Sequence, residues 1–149
     1  MVGFRSILNS ITWERMSVAE RFFDTNVLLY LLSGDEAKAN RAETELSAGG
    51  ILSVQVLNEF AAVATRKLKM SIAELREVLV AVRAVCKVAA VGEETHDLGL
   101  RIAERHQLSV YDSMVIASAL LARCKVLLSE DLQHGQVFEG ALKIRNPFR

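Results

Sequence analysis

The chain has 149 residues, a length that suits one domain of common size with a substantial buried core. Hydrophobic residues make up 51% of the chain and there is one proline, which excludes a disordered linker. Eighteen basic and eighteen acidic residues cancel to a formal net charge of zero, which argues against a broad basic surface for nucleic-acid phosphates.

Neither a membrane span nor a disulfide framework is predicted. The longest apolar stretch, residues 78–91, is interrupted by Arg83 and Lys87, whereas a bilayer span needs about 20 uncharged residues. Cys86 and Cys124 stand alone in apolar contexts, so we expect buried thiols in a reducing cytoplasm rather than a metal or redox pair.

The start of the chain carries no periodic pattern. Residues 1–15 lack the apolar core and the small-residue cleavage site of a signal peptide. We therefore expect them to be a dispensable extension of a single domain that spans residues 16–149.

Apolar runs and helix signals alternate along the first half of the chain. Residues 22–32 have the pattern of a buried strand that runs into a helix, and Gly49 and Gly50 stop the helix that follows. Ser71, three residues before Glu74, forms a capping-box signature. The predicted elements are a strand and helix in 22–32, a helix at 37–46, a strand at 51–56, and helices at 58–69 and 71–85.

The second half continues the alternation. Residues 88–91 predict a third strand, Thr95 is predicted to cap a helix with Leu98 and Ile102 on one face, and Ser109 is predicted to cap the next. The remaining elements are that second helix at about 112–123, a strand at 125–129 and a short strand at 142–146. Apolar strands separated by helices predict a three-layer α/β/α fold with a central, mainly parallel sheet of four or five strands.

Four acidic residues lie where such a sheet gathers ligands, which is at the carboxyl ends of its strands. Asp24 ends the core of the first strand, and Glu59 is expected to open the helix after the second. Asp112 is expected to open the helix before the fourth strand, and Asp131 follows that strand by two residues. We therefore expect the four carboxylates to converge at one edge of the sheet.

Converging carboxylates repel each other, so either their pKa values rise or a divalent cation neutralises them. Oxygen ligands suit Mg²⁺ or Mn²⁺, and the chain has no His-x-x-x-His or paired-cysteine spacing for zinc. Taken singly, Glu59 and Asp112 equally suit the positive end of a helix dipole, and Asp131 suits a solvated turn. Asp24 differs because a carboxylate beside Phe23 and an apolar run is costly to bury without a partner. For Asp24 the alternative to a metal is hydrogen bonding to nearby backbone amides.

Four segments resemble, in order, the four acidic motifs of PIN-domain ribonucleases, most closely those of VapC toxins: "FFDTNVLLYLL", "SVQVLNEF", "YDSMVIASAL" and "VLLSEDLQHG". The resemblance extends from Arg21 to the end of the chain. It implies that Asp24 is the first metal ligand and that Glu59, Asp112 and Asp131 complete an acidic pocket.

The resemblance also implies an activity and partners. The activity is metal-assisted hydrolysis of RNA phosphodiester bonds with Mg²⁺ or Mn²⁺, and the partners are the RNA substrate, a small antitoxin protein and a second copy of the chain. Asn26 and Ser129 would support the pocket, while Thr25 either orients a ligand, contacts a phosphate or simply satisfies a turn.

Two further predictions concern charged residues close to these motifs. In "LLSED", the resemblance selects Asp131 as the fourth acid, two residues beyond the hydroxyl of Ser129. Strand alternation supports this choice, because it places Ser129 and Asp131 on one side and Glu130, which we expect to be a solvated acid, on the other. Three basic residues at the end of the predicted helix at 58–69, Arg66, Lys67 and Lys69, are expected to complement the helix dipole, with contact to the RNA backbone as the alternative.

Two other function classes remain open. One is a PIN-like module that binds RNA or protein without cutting. The other is a haloacid dehalogenase-like phosphohydrolase with Asp24 as nucleophile, although such enzymes usually carry a second aspartate two residues later, where this chain has Asn26.

Overall fold

The computed structural model describes residues 20–149, so the predicted extension at residues 1–15 lies outside the described residues. In chain order the elements are β1 (Arg21–Phe23), α1 (Thr25–Leu29) with a 3₁₀ turn (Tyr30–Leu32), α2 (Glu36–Ser47), β2 (Gly50–Ser53), α3 (Val54–Arg66), α4 (Ile72–Val85), β3 (Cys86–Ala89), α5 (Glu93–His106), α6 (Val110–Leu121), β4 (Val126–Leu128), β5 (Val137–Phe138) and β6 (Leu142–Arg145).

These strands form one sheet in the order β3-β2-β1-β4-β6-β5, in which β5 alone is antiparallel to its neighbour. The predicted three-layer, mainly parallel α/β/α fold is confirmed. The described part of the sheet has six strands instead of four or five, because β5 contains two residues and leaves no periodic signal in the sequence.

The path of the chain reverses beside β1. From β1 it moves outward through β2 to β3, then crosses to the other side of β1 to form β4. In open parallel sheets such a reversal opens a crevice at the carboxyl ends of the two neighbouring strands, and ligands bind there. The residues that follow β1 and β4 are Asp24 and Ser129.

The central strands are buried on both faces, which explains their continuous apolar sequence. Phe22, Phe23, Leu127 and Leu128 have no exposed surface, and burying each such side chain stabilises the fold by about 1.5–3 kcal/mol. Both cysteines are buried thiols, as predicted. Within residues 20–149, no helix is both long enough and apolar enough to cross a membrane.

The predicted boundary between the second strand and the next helix is wrong. The strand ends at Ser53 rather than at residue 56, because the Ser53 hydroxyl accepts a hydrogen bond from the N–H of Val56 at 3.2 Å and caps α3. Gln55 is therefore helical, and Glu59 lies in the second turn of α3 instead of opening the helix.

Of the two helix caps predicted in the second half of the chain, one is confirmed and one is wrong. Ser109 caps α6 through the N–H of Asp112 at 3.2 Å, as predicted, but α6 begins at Val110. Thr95 is not the cap of α5: that helix begins after Gly92, and Thr95 lies in its first turn, where its hydroxyl accepts the Gly92 N–H at 3.2 Å. The third strand begins at Cys86, two residues earlier than predicted.

Candidate active site

Asp24 is placed by the two central strands. Its N–H donates to the carbonyl of Leu128 in β4 at 3.0 Å. Its carboxylate then caps α1, with Oδ1 accepting the N–H of Thr25 at 2.7 Å. The residue is 5% exposed, which confirms that the acid between apolar neighbours is buried.

The electrostatic environment of Asp24 disfavours its charged form. Burial is the main cause that raises the pKa of Asp24 to about 6, and the negative charges of Asp131 and Asp112 raise it further. Hydrogen bonds from Ser129 and from the Thr25 N–H act in the opposite direction. The site thus holds a carboxylate that a cation would stabilise.

Asn26 and Ser129 connect the ends of β1 and β4. The Ser129 hydroxyl donates to Oδ2 of Asp24 at 2.8 Å. The Asn26 amide nitrogen lies 3.2 Å from Oδ2 of Asp24 and 3.1 Å from Oδ2 of Asp131, so one side chain bridges the two acids. Its carbonyl oxygen accepts the N–H of Glu130 at 3.1 Å, which fixes the loop after β4.

Glu59 enters the same region from α3 with both carboxylate oxygens engaged. Oε2 accepts from the Thr25 hydroxyl at 2.9 Å, and Oε1 accepts from the Gln55 amide at 2.9 Å. The same Gln55 amide lies 3.4 Å from the carbonyl oxygen of Tyr111 on α6. Sequence reasoning missed Gln55, although its position four residues before Glu59 is a helical pairing signal once Ser53 is identified as the cap.

All four predicted acids line one cleft of about 300 Å³. Asp112 reaches it from the first turn of α6, and Asp131 from the loop after β4. Thr25 and Asn26 line it too, while Ser129 is fully buried behind Asp24. The other lining residues were not predicted for this cleft: Leu29, Ala62, Val63, Arg66, Tyr111 and Val115.

Glu130 points away from the cleft, as strand alternation predicts, but it is not a solvated acid. Its carboxylate accepts hydrogen bonds from the Tyr30 hydroxyl and from Nζ of Lys38, the latter at 3.2 Å. The Lys38 ammonium also lies 3.0 Å from the Tyr30 hydroxyl. These contacts join residues far apart in the sequence, so the premise that Glu130 is free in solvent was wrong.

The cleft has the donor chemistry for a hard divalent ion. Within residues 20–149, no Lys, Arg or His forms an ion pair with any of the four acids. In the same range, no three His, Cys, Asp or Glu side chains are grouped tightly enough to hold an ion by themselves. Mg²⁺ usually needs one or two carboxylates, with waters and substrate phosphate oxygens as its other ligands. The oxygen-only donor set therefore fits Mg²⁺ or Mn²⁺ and does not suit zinc.

Comparison with known proteins identifies the family to which this chain is similar. The family model of the PIN domain matches residues 21–138. No curated protein sequence matches.

Among the 11 solved chains that match is one from a toxin-antitoxin complex from Klebsiella pneumoniae, with 19% identity and a TM-score of 0.65, covering 85% of this chain and 97% of that chain. Another is Mycobacterium tuberculosis VapC20, a Sarcin-Ricin loop cleaving toxin, with 17% identity and a TM-score of 0.55, covering 72% of this chain and 86% of that chain. At these identities the likeness concerns the fold.

Proposed function

The chain belongs to the PIN domain family, and from that premise we propose that it is a divalent-metal-dependent endoribonuclease and the toxin of a toxin–antitoxin pair. One observation carries the nuclease proposal. Four carboxylates from separate parts of the chain line a single cleft where the path of the sheet reverses, and the buried one, Asp24, has a pKa raised to about 6. An arrangement that disfavours its own charge is suited to bind an external cation.

We propose that Asp24, Glu59, Asp112 and Asp131 form the metal site, with waters and substrate phosphate oxygens completing the coordination, because no three of these acids are close enough to hold an ion by themselves. A bound Mg²⁺ or Mn²⁺ supplies positive charge at the phosphoryl group and activates water for hydrolysis. The hydrogen bonds already made by Glu59 do not prevent this role, since an ionised carboxylate offers about four acceptor sites.

The supporting residues keep the carboxylates charged and in place. The Ser129 hydroxyl and the Thr25 N–H donate to Asp24 and favour its ionised form. The Asn26 amide bridges Asp24 and Asp131, so these two acids keep a fixed separation across β1 and β4. Such second contacts orient ligands, and their loss typically lowers metal affinity or activity by about 10–100-fold.

The structural neighbours support one of the proposed partners. One of the structural neighbours comes from a complex described as toxin-antitoxin, which supports a small antitoxin as the partner of this chain. We propose that the antitoxin covers the cleft with a basic side chain, because a guanidinium group replaces a metal's charge and bonds two carboxylate oxygens at once. We also propose that the protein is a cytoplasmic homodimer.

The two alternatives differ in what supports them. The hypothesis of a haloacid dehalogenase-like phosphohydrolase is disfavoured, because the chain matches the PIN family. In addition, Asn26 supplies an amide where such an enzyme would need a second aspartate. A PIN domain that binds RNA or protein without cutting would have the same cleft. A cleavage assay distinguishes it from a nuclease.

Cleavage of single-stranded RNA by the purified full-length chain tests the nuclease proposal. We expect cleavage in Mg²⁺ or Mn²⁺, none after addition of a chelator, and recovery when the ion is restored. The Asp24→Asn variant, purified in the same way, controls for contaminating nucleases. Cleavage that resists the chelator, or equal cleavage by the variant, would contradict the proposal.

Expression in a bacterial host tests the toxin part separately. We expect the chain alone to arrest growth, the Asp24→Asn variant to be harmless, and a co-expressed antitoxin to relieve the arrest. Harmless expression of a chain that cleaves RNA in vitro would remove the toxin assignment and leave the nuclease.

A further inference from the structure

The cleft presents a binding problem that the four acids do not solve. Carboxylates repel the phosphates of RNA, and the net charge of zero offers no general attraction. Among the residues of the described range 20–149 that line the cleft, Arg66 is the one permanent cation and Tyr111 is the one aromatic side chain. These two residues supply the chemistry that RNA binding needs and that the acids lack.

Arg66 is placed by the geometry of α3. Glu59, Ala62, Val63 and Arg66 follow helical spacing, so they lie on one face of the helix and form one wall of the cleft. Arg66 is two turns beyond Glu59, about 10 Å along the helix axis. Its side chain is exposed, and a guanidinium group pairs well with a phosphate through two parallel hydrogen bonds.

Tyr111 lines the same cleft from a different helix, next to Asp112 on the first turn of α6. At 70% exposure it is the most exposed large hydrophobic side chain in residues 20–149. The backbone beneath it is held, because the Gln55 amide lies 3.4 Å from its carbonyl oxygen. A solvent-exposed aromatic ring that lines a cleft is suited to stack on a nucleic-acid base.

We propose that Tyr111 stacks on an unpaired base beside the scissile phosphate and that Arg66 binds a neighbouring phosphate, so that the pair holds single-stranded RNA across the acidic cleft. This inference rests on the proposed nuclease function. The stacking contact needs an unpaired base, because a base inside an A-form duplex is already stacked between its neighbours.

Binding of a short single-stranded RNA carrying 2-aminopurine tests the stacking contact. The Asp24→Asn background, in Mg²⁺, prevents cleavage during the measurement. We expect the fluorescence of 2-aminopurine to be quenched on binding. We expect Tyr111→Ala to lose the quenching and bind about tenfold more weakly, while Tyr111→Phe keeps both because its ring still stacks.

The salt dependence of the same binding tests the phosphate contact. We expect Arg66→Ala to weaken binding about tenfold and to lower the salt slope by about 0.7, the value for one phosphate contact on a single strand. Arg76→Ala is the matched control, because Arg76 lines a separate groove with Leu57 on the opposite face of α3. It should change neither quantity.

The outcomes separate this inference from the proposed function. Unchanged affinity and quenching in Tyr111→Ala, or an unchanged salt slope in Arg66→Ala, would overturn the inference while RNA cleavage by the native chain still stands. A native chain that binds the RNA with quenching but never cleaves it would instead overturn the nuclease proposal. Both side chains are exposed, so the variants should keep the melting temperature of their parent.

Discussion

Two buried carboxylates lie near β1, and they differ in whether a positively charged side chain neutralises them. Glu45 on α2 is 5% exposed and contacts three arginines, with ion pairs of 3.0 Å to Arg41, 2.8 Å to Arg145 and 2.5 Å to Arg21. Asp24 is equally buried, yet its partners in residues 20–149 are a hydroxyl, an amide and a backbone N–H.

The difference shows which charge the fold neutralises by itself. At Glu45 the countercharge is built into β1, α2 and β6, so the cluster holds these elements together. At Asp24 the charges that affect its pKa are those of Asp131 and Asp112, which have the same sign as its own. A buried carboxylate without an internal cation is costly to the fold, and this cost points to function rather than stability.

Asp24→Asn should give the largest effect. We expect RNA cleavage to fall by about 10³-fold or more, because the amide cannot serve as an ionised ligand, a loss of about 4 kcal/mol in transition-state stabilisation. The fold should be retained and, in chelator at pH 7, stabilised by about 1–2 kcal/mol, since a disfavoured charge is removed. Single-turnover cleavage and thermal melting measure the two effects, and normal turnover would exclude the metal role.

The pH dependence of that stabilisation follows from the sign of the shift. The pKa of Asp24 is raised from 3.8 to about 6 in the folded state, so the native chain binds the proton more tightly than the unfolded chain. The destabilising contribution is complete above about pH 6 and disappears as pH falls towards 4. Melting curves in chelator at pH 7.5 and pH 4.5 should therefore show the advantage of Asp24→Asn shrinking, and a constant difference would contradict this.

Glu45→Ala should reverse the pattern. Removing the central acid leaves three arginines without their partner, which we expect to cost about 2–3 kcal/mol of unfolding free energy, less than for a fully dry cluster because Arg41 and Arg145 are half-exposed. Cleavage per folded molecule should stay within about twofold of the native value. Urea unfolding measures the stability, and the cleavage rate divided by the concentration of folded protein measures the activity. A loss of cleavage without a loss of stability would contradict the separation between the Glu45 cluster and the cleft.

Asp131→Ala and Glu130→Ala compare two neighbouring acids. We expect Asp131→Ala to lower metal-dependent cleavage by about 10²-fold, most clearly at limiting Mn²⁺, because it removes a carboxylate from the cleft. Glu130→Ala breaks contacts with Tyr30 and Lys38 outside the cleft, so we expect a loss of about 1 kcal/mol in stability and a few-fold effect on cleavage. Full activity of Asp131→Ala at limiting Mn²⁺ would remove that residue from the site.

A chain that begins at Met16 should show the smallest effect. The family match begins at residue 21, and residues 1–15 lack helical or strand periodicity. We expect the shortened chain to cleave RNA at the same rate and to melt within about 2 °C of the full chain. For a domain of this size, about 2 °C corresponds to about 0.5–1 kcal/mol of unfolding free energy. A large drop in melting temperature would show that Trp13 or its neighbours pack on the domain.

The features that sequence reasoning predicted correctly are those set by short-range rules. Continuous apolar runs predicted a parallel sheet because both faces of such strands are covered. The capping box of Ser71 with Glu74 and the cap at Ser109 were readable because a cap bonds an N–H two or three residues away. Asp24 stood out because a charged residue in an apolar run conflicts with its own surroundings.

Only the tertiary structure decided which distant residues meet. Glu45 forms ion pairs with Arg21 and Arg145, and Glu130 bonds Tyr30 and Lys38, across separations that leave no local pattern in the sequence. Arg41 is the exception, because it lies four residues before Glu45 on the same helix. The sequence alone named the four acids, but their convergence depends on the reversal between β1 and β4 and on the packing of α3 and α6 around it. Side-chain contacts across such separations depend on the packing of whole elements, and local propensity carries no information about them.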